Sequence, residues 1–333
     1  TMTDNTHRNS LFWPVILIGA GCILLLRNLG YLPDFSWAAL LNLWPVALIV
    51  LGLDLLFGRK SPWVGGLIGL LTIGAVIAFL YFSPALGIKA PAEVKTEVIS
   101  EPLGNTTSVE YFIDTAAQPV SVQALPKSTD LFKATILTPG QVFLSVAGDA
   151  HKTVQLSTRS NPNTWLNFIN NPQRLYWDIA LNPAVPSAIN LNGASGALNL
   201  DLRGIMLTDL QTTLGSGSSQ FILPVTDAPY DVNVQSGSGA VTLNLPENTE
   251  LALAINSGSG AVTVEIPHSA AVRIEVLSSG SGGVRIPNEY HVVGLNNGAA
   301  SGSWQSSNFE GAEKSIIIRV VGRGSGSLTF RVK

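Results

Sequence analysis

The chain has 333 residues, 46% of them hydrophobic and only 12% charged, with a formal net charge of −3. It is too apolar for an ordinary soluble enzyme, and its weak negative charge leaves no electrostatic case for binding nucleic acid. Cys22 is the only cysteine, so no intramolecular disulfide can form and the redox compartment is left open.

From Leu11 to Phe82 the only charged side chains are Arg27, Asp34, Asp54, Arg59 and Lys60. Three apolar stretches, 11–26, 37–57 and 63–82, fit the ~20 residues that a bilayer-spanning helix needs, although the first is somewhat short. They predict an N-terminal α-helical membrane segment over 11–83, with the lipid bilayer as partner. Several such stretches in succession, with no small-residue cleavage site after the first, read as a multi-pass anchor rather than a cleaved leader. Trp13-Pro14 and Trp44-Pro45 open the first two stretches, where an interfacial Trp and a first-turn Pro are both favoured. Gly65 and Gly69 give the third a GxxxG face for close packing, within the chain or in a homo-oligomer. Asp54 lies three residues from the end of its stretch and near Arg59 and Lys60, so it reads as an interfacial acid.

The first two stretches also match each other, "FWPVILIGAGCILLL" against "LWPVALIVLGLDLLF". Trp-Pro-Val, Leu-Ile, a Gly and a Leu-Leu recur at shared spacing. The pair resembles the LiaI/LiaF-like transmembrane region of bacterial and some archaeal membrane proteins, over about Phe12 to Phe57.

Residues 84–91 are a short Pro/Ala/Gly linker. From 92 to 188, "SVEYFID", "FKATIL", "QVFLSV" and "TVQLST" alternate as half-buried strands do, and the Asn-rich "RSNPNTWLNFINNPQR" reads as a loop. This segment is expected to be a β cap, because the end of a stacked-sheet domain is an exposed edge that something must cover.

Residues 189–333 repeat. "GASGALNLDL", "GSGSSQFILP", "GSGAVTLNLP", "GSGAVTVEIP" and "GSGGVRIP" are followed by the weaker "AASGSW" and "GRGSGSLTFRV". Their central serines, Ser195, Ser216, Ser238, Ser259, Ser281, Ser301 and Ser325, lie 20 to 24 residues apart, the period of a solenoid coil. After each serine, apolar residues fall at the third, fifth and seventh positions, such as Val262, Val264 and Ile266, with Thr263 and Glu265 between them. That alternation gives each strand one dry face and one wet face. The expected fold is therefore a β-solenoid of about seven two-stranded rungs. Gly215, Gly217, Gly237, Gly239, Gly258, Gly260, Gly280 and Gly282 form its corners, where glycine supplies unusual dihedrals and serine fits a narrow stack. Phosphate and dinucleotide loops need a following Lys-Ser/Thr or a helix, and neither follows.

"LYWDIALNPAVPSAINLNGASGALNLDLRG", from Leu175, resembles the toast-rack and LiaF C-terminal type of β-repeat domain, with Trp177, Asn182, Pro183, Val185 and Pro186 at matching positions. The family's Gly-Ala-Gly corner is mostly Gly-Ser-Gly here. The resemblance implies a non-enzymatic envelope protein, some relatives of which regulate a membrane sensor kinase during cell-wall stress.

No histidine has a second ligand at metal spacing, and HExxH, CxxC and GxSxG are absent, so no catalytic residue, metal or cofactor is expected. Asp201 and Glu265 occupy equivalent wet-face positions about three rungs apart, roughly 14 Å, which is too far for a glycosidase pair. The expected function is scaffolding, or envelope-stress sensing through a membrane sensor or another envelope protein. The alternative is an adhesin-like or glycan-binding surface module. Arg59-Lys60 favours a cytoplasmic second loop, and a Ser/Thr/Asn-rich surface suits an extracytoplasmic β domain.

Overall fold

The computed structural model describes residues 11–29, 44–53, 56, 62–82, 94–115, 117–138, 141–159, 175–193, 195–277, 280–295 and 301–333. The chain divides into two units, one containing the N-terminal helices and the other the β-strands.

In the first unit, α1 (Phe12–Asn28), α2 (Trp44–Leu53) and α3 (Pro62–Phe82) are apolar around their whole circumference. Glycine lets α1 and α3 approach closely: a side-chain carbon on Gly19 would run into Ile73, and one on Gly66 would lie 3.6 Å from Leu11. Ile23 and Leu26 join Val76, Ile77 and Phe79 in a partly buried apolar cluster. Thr72 Oγ1 donates back to the Ile68 carbonyl at 2.7 Å, so its polar atom is satisfied inside α3. Among the described residues no helix is long and apolar enough to cross a membrane, so these helices do not establish the expected three spans. Asp54, Arg59, Lys60 and the linker 84–91 lie outside the described residues.

The second unit is two sheets, of ten and eleven strands, facing one another across a single apolar core. Each rung gives one strand to each sheet. Along the stack the rungs are β6 (His151–Arg159) with β7 (Tyr176–Leu181), β2 (Ser108–Asp114) with β3 (Val120–Ala124), and β8 (Ser187–Gly193) with β9 (Leu198–Asp201). Next come β10 (Leu207–Leu214) with β11 (Ser219–Ile222), β12 (Tyr230–Ser236) with β13 (Val241–Asn244), and β14 (Leu251–Ser257) with β15 (Val262–Ile266). The last two are β20 (Ile316–Arg323) with β21 (Leu328–Val332), then β16 (Val272–Val276) with β17 (Val284–Arg285). Neighbouring rungs pair in parallel throughout.

Three features depart from a stack laid down in chain order. First, β20–β21 is the last rung in sequence but lies inside the stack, between β14–β15 and β16–β17. The β2–β3 rung is likewise enclosed between β6–β7 and β8–β9. Second, Ser301 is not a corner. It leads into β19 (Gly302–Gln305), which runs antiparallel to β16 and to β18 (His291–Leu295) and covers one end of the eleven-stranded sheet. Third, 92–188 supplies two rungs as well as cover: β1 (Lys95–Pro102), β4 (Asp130–Thr138) and β5 (Gln141–Ala147) pair antiparallel only, β4 against β7 and β5 against β6 at that end. The Gly-Ser-Gly repeat sets the chemistry of a corner but not its neighbours, since every rung offers the same edge.

The core follows the period-two pattern. Leu200, Phe221, Leu243, Val264 and Leu328 are fully buried, each contributing about 1.5–3 kcal/mol relative to exposure. Val284, Ile286 and Val332, in the two rungs nearest that end, are only partly buried. At the other end Tyr111 packs edge-on against Phe132 at 6.1 Å and donates to the Leu131 carbonyl at 3.2 Å. Burial pushes the Tyr111 phenol well above its usual range.

Candidate functional site

The corners form the most regular surface of the stack. Gly237, Gly239, Gly258 and Gly260 lie against the backbone of the rung before them; a side-chain carbon on Gly258 would sit 2.5 Å from the Gly237 carbonyl oxygen. Gly217 lies in the same way against Gly196, Gly280 against Arg323 and Gly282 against Gly326. None of these corners has a positive φ: the positive-φ glycines are Gly104, Gly148 and Gly204. The requirement at the corners is close approach rather than an unusual dihedral, which corrects the reason expected from the sequence. The central serines Ser195, Ser216, Ser238, Ser259, Ser281 and Ser325 are exposed. Gly215 joins the column through its backbone: its carbonyl accepts from the Ser238 and Gly239 amides, and its amide donates to the Gly193 carbonyl at 2.8 Å.

In the helical unit, Trp13 and Trp44 are exposed at 60% and 58%, as is Pro14, while Gly65 and Gly69 are buried. Pro45 lies in the first turn of α2, where its missing N–H has no intrahelical partner to lose.

The outer face of the ten-stranded sheet carries a row in register, Asp178, Ser121, Asn199, Gln220, Thr242, Thr263 and Thr329. Beside it lies a groove of about 740 Å³ across five rungs, with Ala197, Ser218 and Ala240 along it and Tyr176 at one end. The opposite sheet carries a smaller groove of about 450 Å³ lined by Phe112, Asp114, Gln155, Asn190, Asn192 and Gln211. These surfaces offer hydroxyl and amide side chains at rung spacing, with one acid in each, Asp178 and Asp114.

Among the described residues five ion pairs lie on the stack. Asp201 accepts from Arg203 Nε at 2.7 Å, and that bond holds its carboxyl below the usual range. Lys333 Nζ lies 2.8 Å from Glu265 and 2.6 Å from the Asn244 amide oxygen. Asp201 and Glu265 are three rungs apart in one register row, each held by its own cation, which is not an acid/base arrangement. Asp209 is in none of these pairs. Burial, opposed by a hydrogen bond to Gln211 and reinforced by the charges of Asp231 and Glu110, raises its pKa. Among the described residues no group of three His, Cys, Asp or Glu side chains could hold a metal.

Sequence reasoning missed one pair, Ser108 Oγ and His151 Nδ1, which are 2.6 Å apart and exposed. They are 43 positions apart and meet only because β2 and β6 pair in register. It is an exposed cross-strand contact, lining neither groove. The motif at Trp177 to Pro186 is structural. Trp177 Nε1 donates to Gln118 Oε1 at 2.5 Å, and Asn182, 4% exposed, donates to the Asp130 carbonyl at 2.7 Å and accepts from the Ala184 amide at 3.0 Å. The bond to Asp130, with the Asn182 backbone amide donating to the Leu131 carbonyl at 2.9 Å, fastens the turn after β7 to β4.

Residues 11–56 match the LiaI-LiaF-like transmembrane region, and residues 91–244 match the N-terminal domain of toast_rack. One chain thus carries a match to a LiaI-LiaF-like transmembrane region followed by a match to the toast-rack N-terminal domain. The toast-rack match ends at the last residue of β13, and the rungs beyond it continue the same corner. Neither match describes an enzyme. No curated protein matches the chain. Solved structures with some likeness include a candidate cell adhesion protein from Clostridium sporogenes ATCC 15579, 19% identical, covering 72% of this chain and 100% of its own, with a TM-score of 0.49. A candidate adhesin from Bacteroides fragilis NCTC 9343 is 10% identical, with 72% and 99% covered and a TM-score of 0.32. These likenesses are too loose to carry a function.

Proposed function

We propose that the protein is a non-enzymatic, membrane-anchored module of the cell envelope, whose rung stack scaffolds a membrane partner or senses envelope stress through one. The observation that carries this reading is the covalent fusion itself. A match to a LiaI-LiaF-like transmembrane region shares one chain with a stack whose outer row runs in hydroxyl and amide side chains from Ser121 to Thr329, and whose acids at Asp201 and Glu265 are neutralised locally. In this reading the helices cross the bilayer and the stack lies outside the cytoplasm.

Two steps test it. After an alkaline carbonate wash the chain should stay with the membrane pellet, and crosslinking in intact membranes should join the toast-rack domain to a defined membrane protein. Release into the wash would overturn the anchoring; a chain retained but crosslinked to nothing would overturn the partner. A second reading, glycan binding, is favoured by the groove beside the exposed ring of Tyr176, since an aromatic face next to amide and hydroxyl donors suits a neutral sugar. Binding of neutral polysaccharide that is lost in Tyr176→Ala would support it.

A further inference from the structure

The groove beside Tyr176 takes its shape from one small residue in each rung. Two positions before Asn199, Gln220 and Thr242 stand Ala197, Ser218 and Ala240, exposed on the same outer face. The backbone stacks them. The Ala197 carbonyl accepts from the Val120 amide at 2.9 Å, that of Ser218 from Leu198 at 2.9 Å and that of Ala240 from Ser219 at 2.8 Å. A short row therefore forms a floor beside a taller row of amide and hydroxyl side chains, and both rows repeat at the rung spacing of about 4.8 Å. Past the groove the same pattern continues, at Ala261 with Thr263 and at Ser327 with Thr329.

The two ends of the floor differ. Register places Pro119 beside Ala197 and Tyr176 beside Pro119, so at β7 a phenol ring, 39% exposed, stands where the other rungs carry Pro, Ala or Ser. Among the described residues that line the groove there is no cation and one acid, Asp178, which accepts from Gln123 Nε2 at 3.4 Å.

These features select among ligands. An aromatic ring suits the apolar face of a pyranose, and side-chain amides and hydroxyls suit its hydroxyl groups. An acid at the closed end, with no cation along the floor, disfavours an anionic chain. In an extended β-1,4-linked glycan each sugar advances by nearly one rung spacing, about 4.8 Å, so successive sugars meet successive rungs. An α-1,4-linked chain coils and loses that register.

We propose that this groove holds the end of a neutral, unbranched β-1,4-linked polysaccharide, laid along the stack at one sugar per rung with its terminal sugar against Tyr176. The inference rests on the glycan reading above and adds to it the linkage, the placement of the chain end and the register. Sugars beyond the second meet Asn199, then Gln220, then Thr242, so affinity accumulates rung by rung.

The test titrates the full-length chain, in a detergent without a sugar headgroup, with chito- and cello-oligosaccharides of two to five sugars and with malto-oligosaccharides of the same lengths. In at least one β-1,4-linked series affinity should rise severalfold with each sugar, while the α-1,4-linked series stays flat. Ser218→Gln fills the floor three rungs from Tyr176 and should remove the gain from the fourth sugar onward, leaving the disaccharide unaffected. Ala240→Gln, one rung further, should remove only the gain from the fifth, and Tyr176→Ala should weaken every length. A disaccharide that binds as tightly as the pentasaccharide, an equal gain in the α-linked series, or glutamine variants that keep the full gain would overturn the register and leave the glycan reading standing. If none of the three series binds, both fall. Should a variant fail to fold, the length series of the unaltered chain decides the matter.

Discussion

Gly260 lies against the carbonyl oxygen of Gly239 in the preceding rung, with no space for a side-chain carbon between them. The same relation joins Gly239 to Gly217 and Gly326 to Gly260, so the corner is a column of backbone on backbone. Parallel strands about 4.8 Å apart leave that column no slack.

Gly260→Val should therefore destabilise the stack by about 1–3 kcal/mol or more, because backbone cannot move aside as a flexible side chain can. Gly283→Ala is the control. Nothing lies within 4 Å of a carbon added there, and φ is not positive, so its effect should stay within about 0.5 kcal/mol. Thermal unfolding of both variants checks the pair, and equal midpoints would remove the crowding account.

The enclosed C-terminal rung makes a prediction about which strands protect one another. Truncation after Ser315 removes the neighbour of β14 on one side and of β16 on the other. Amide exchange should then accelerate at Arg273, Glu275 and Leu277 as well as at Leu253 and Ile255. In a stack laid down in chain order β14 would instead pair with β16, and these amides would be spared.

Asp209 predicts a pH dependence. Its pKa in the folded protein is raised, mainly by burial and also by Asp231 and Glu110, so the charged carboxylate opposes folding. A raised acid gives its most favourable contribution below the unfolded value, and that contribution is lost as pH rises through the folded value. Asp209→Asn should accordingly be more stable than the unaltered chain at neutral pH, with the gap closing below about pH 3.9, the ordinary Asp value. Melting curves across that range measure it, and a gap that widened on acidification would contradict the assignment.

Much of the β architecture could be read directly from the sequence. The alternation at Val262, Val264 and Ile266 identified strands and their buried face, and the repeated Gly-Ser-Gly identified the corners. Rung order was not legible, because every rung presents the same edge and only the three-dimensional fit places Leu328 beside Val262. Ser301 misled for a related reason: its local letters copy a corner, but β19 doubles back. The Ser108–His151 contact was invisible for want of pairing, since residues 43 positions apart become neighbours only once register is known. In the helical unit, hydropathy suggested three spans, whereas α2 is helical over only Trp44–Leu53 among the described residues.

The central claim is that a membrane anchor carries the stack outside the cytoplasm, and thiol accessibility tests it most directly. Cysteines placed singly at Ser61 and Ser238 in a Cys22→Ser background would be treated in intact cells with a membrane-impermeant reagent. Ser238 is an exposed corner serine, so the thiol there is reachable in the folded stack. The account predicts labelling at position 238 and none at 61 until the membrane is opened. Labelling at 61 but not at 238 would place the stack in the cytoplasm and contradict it.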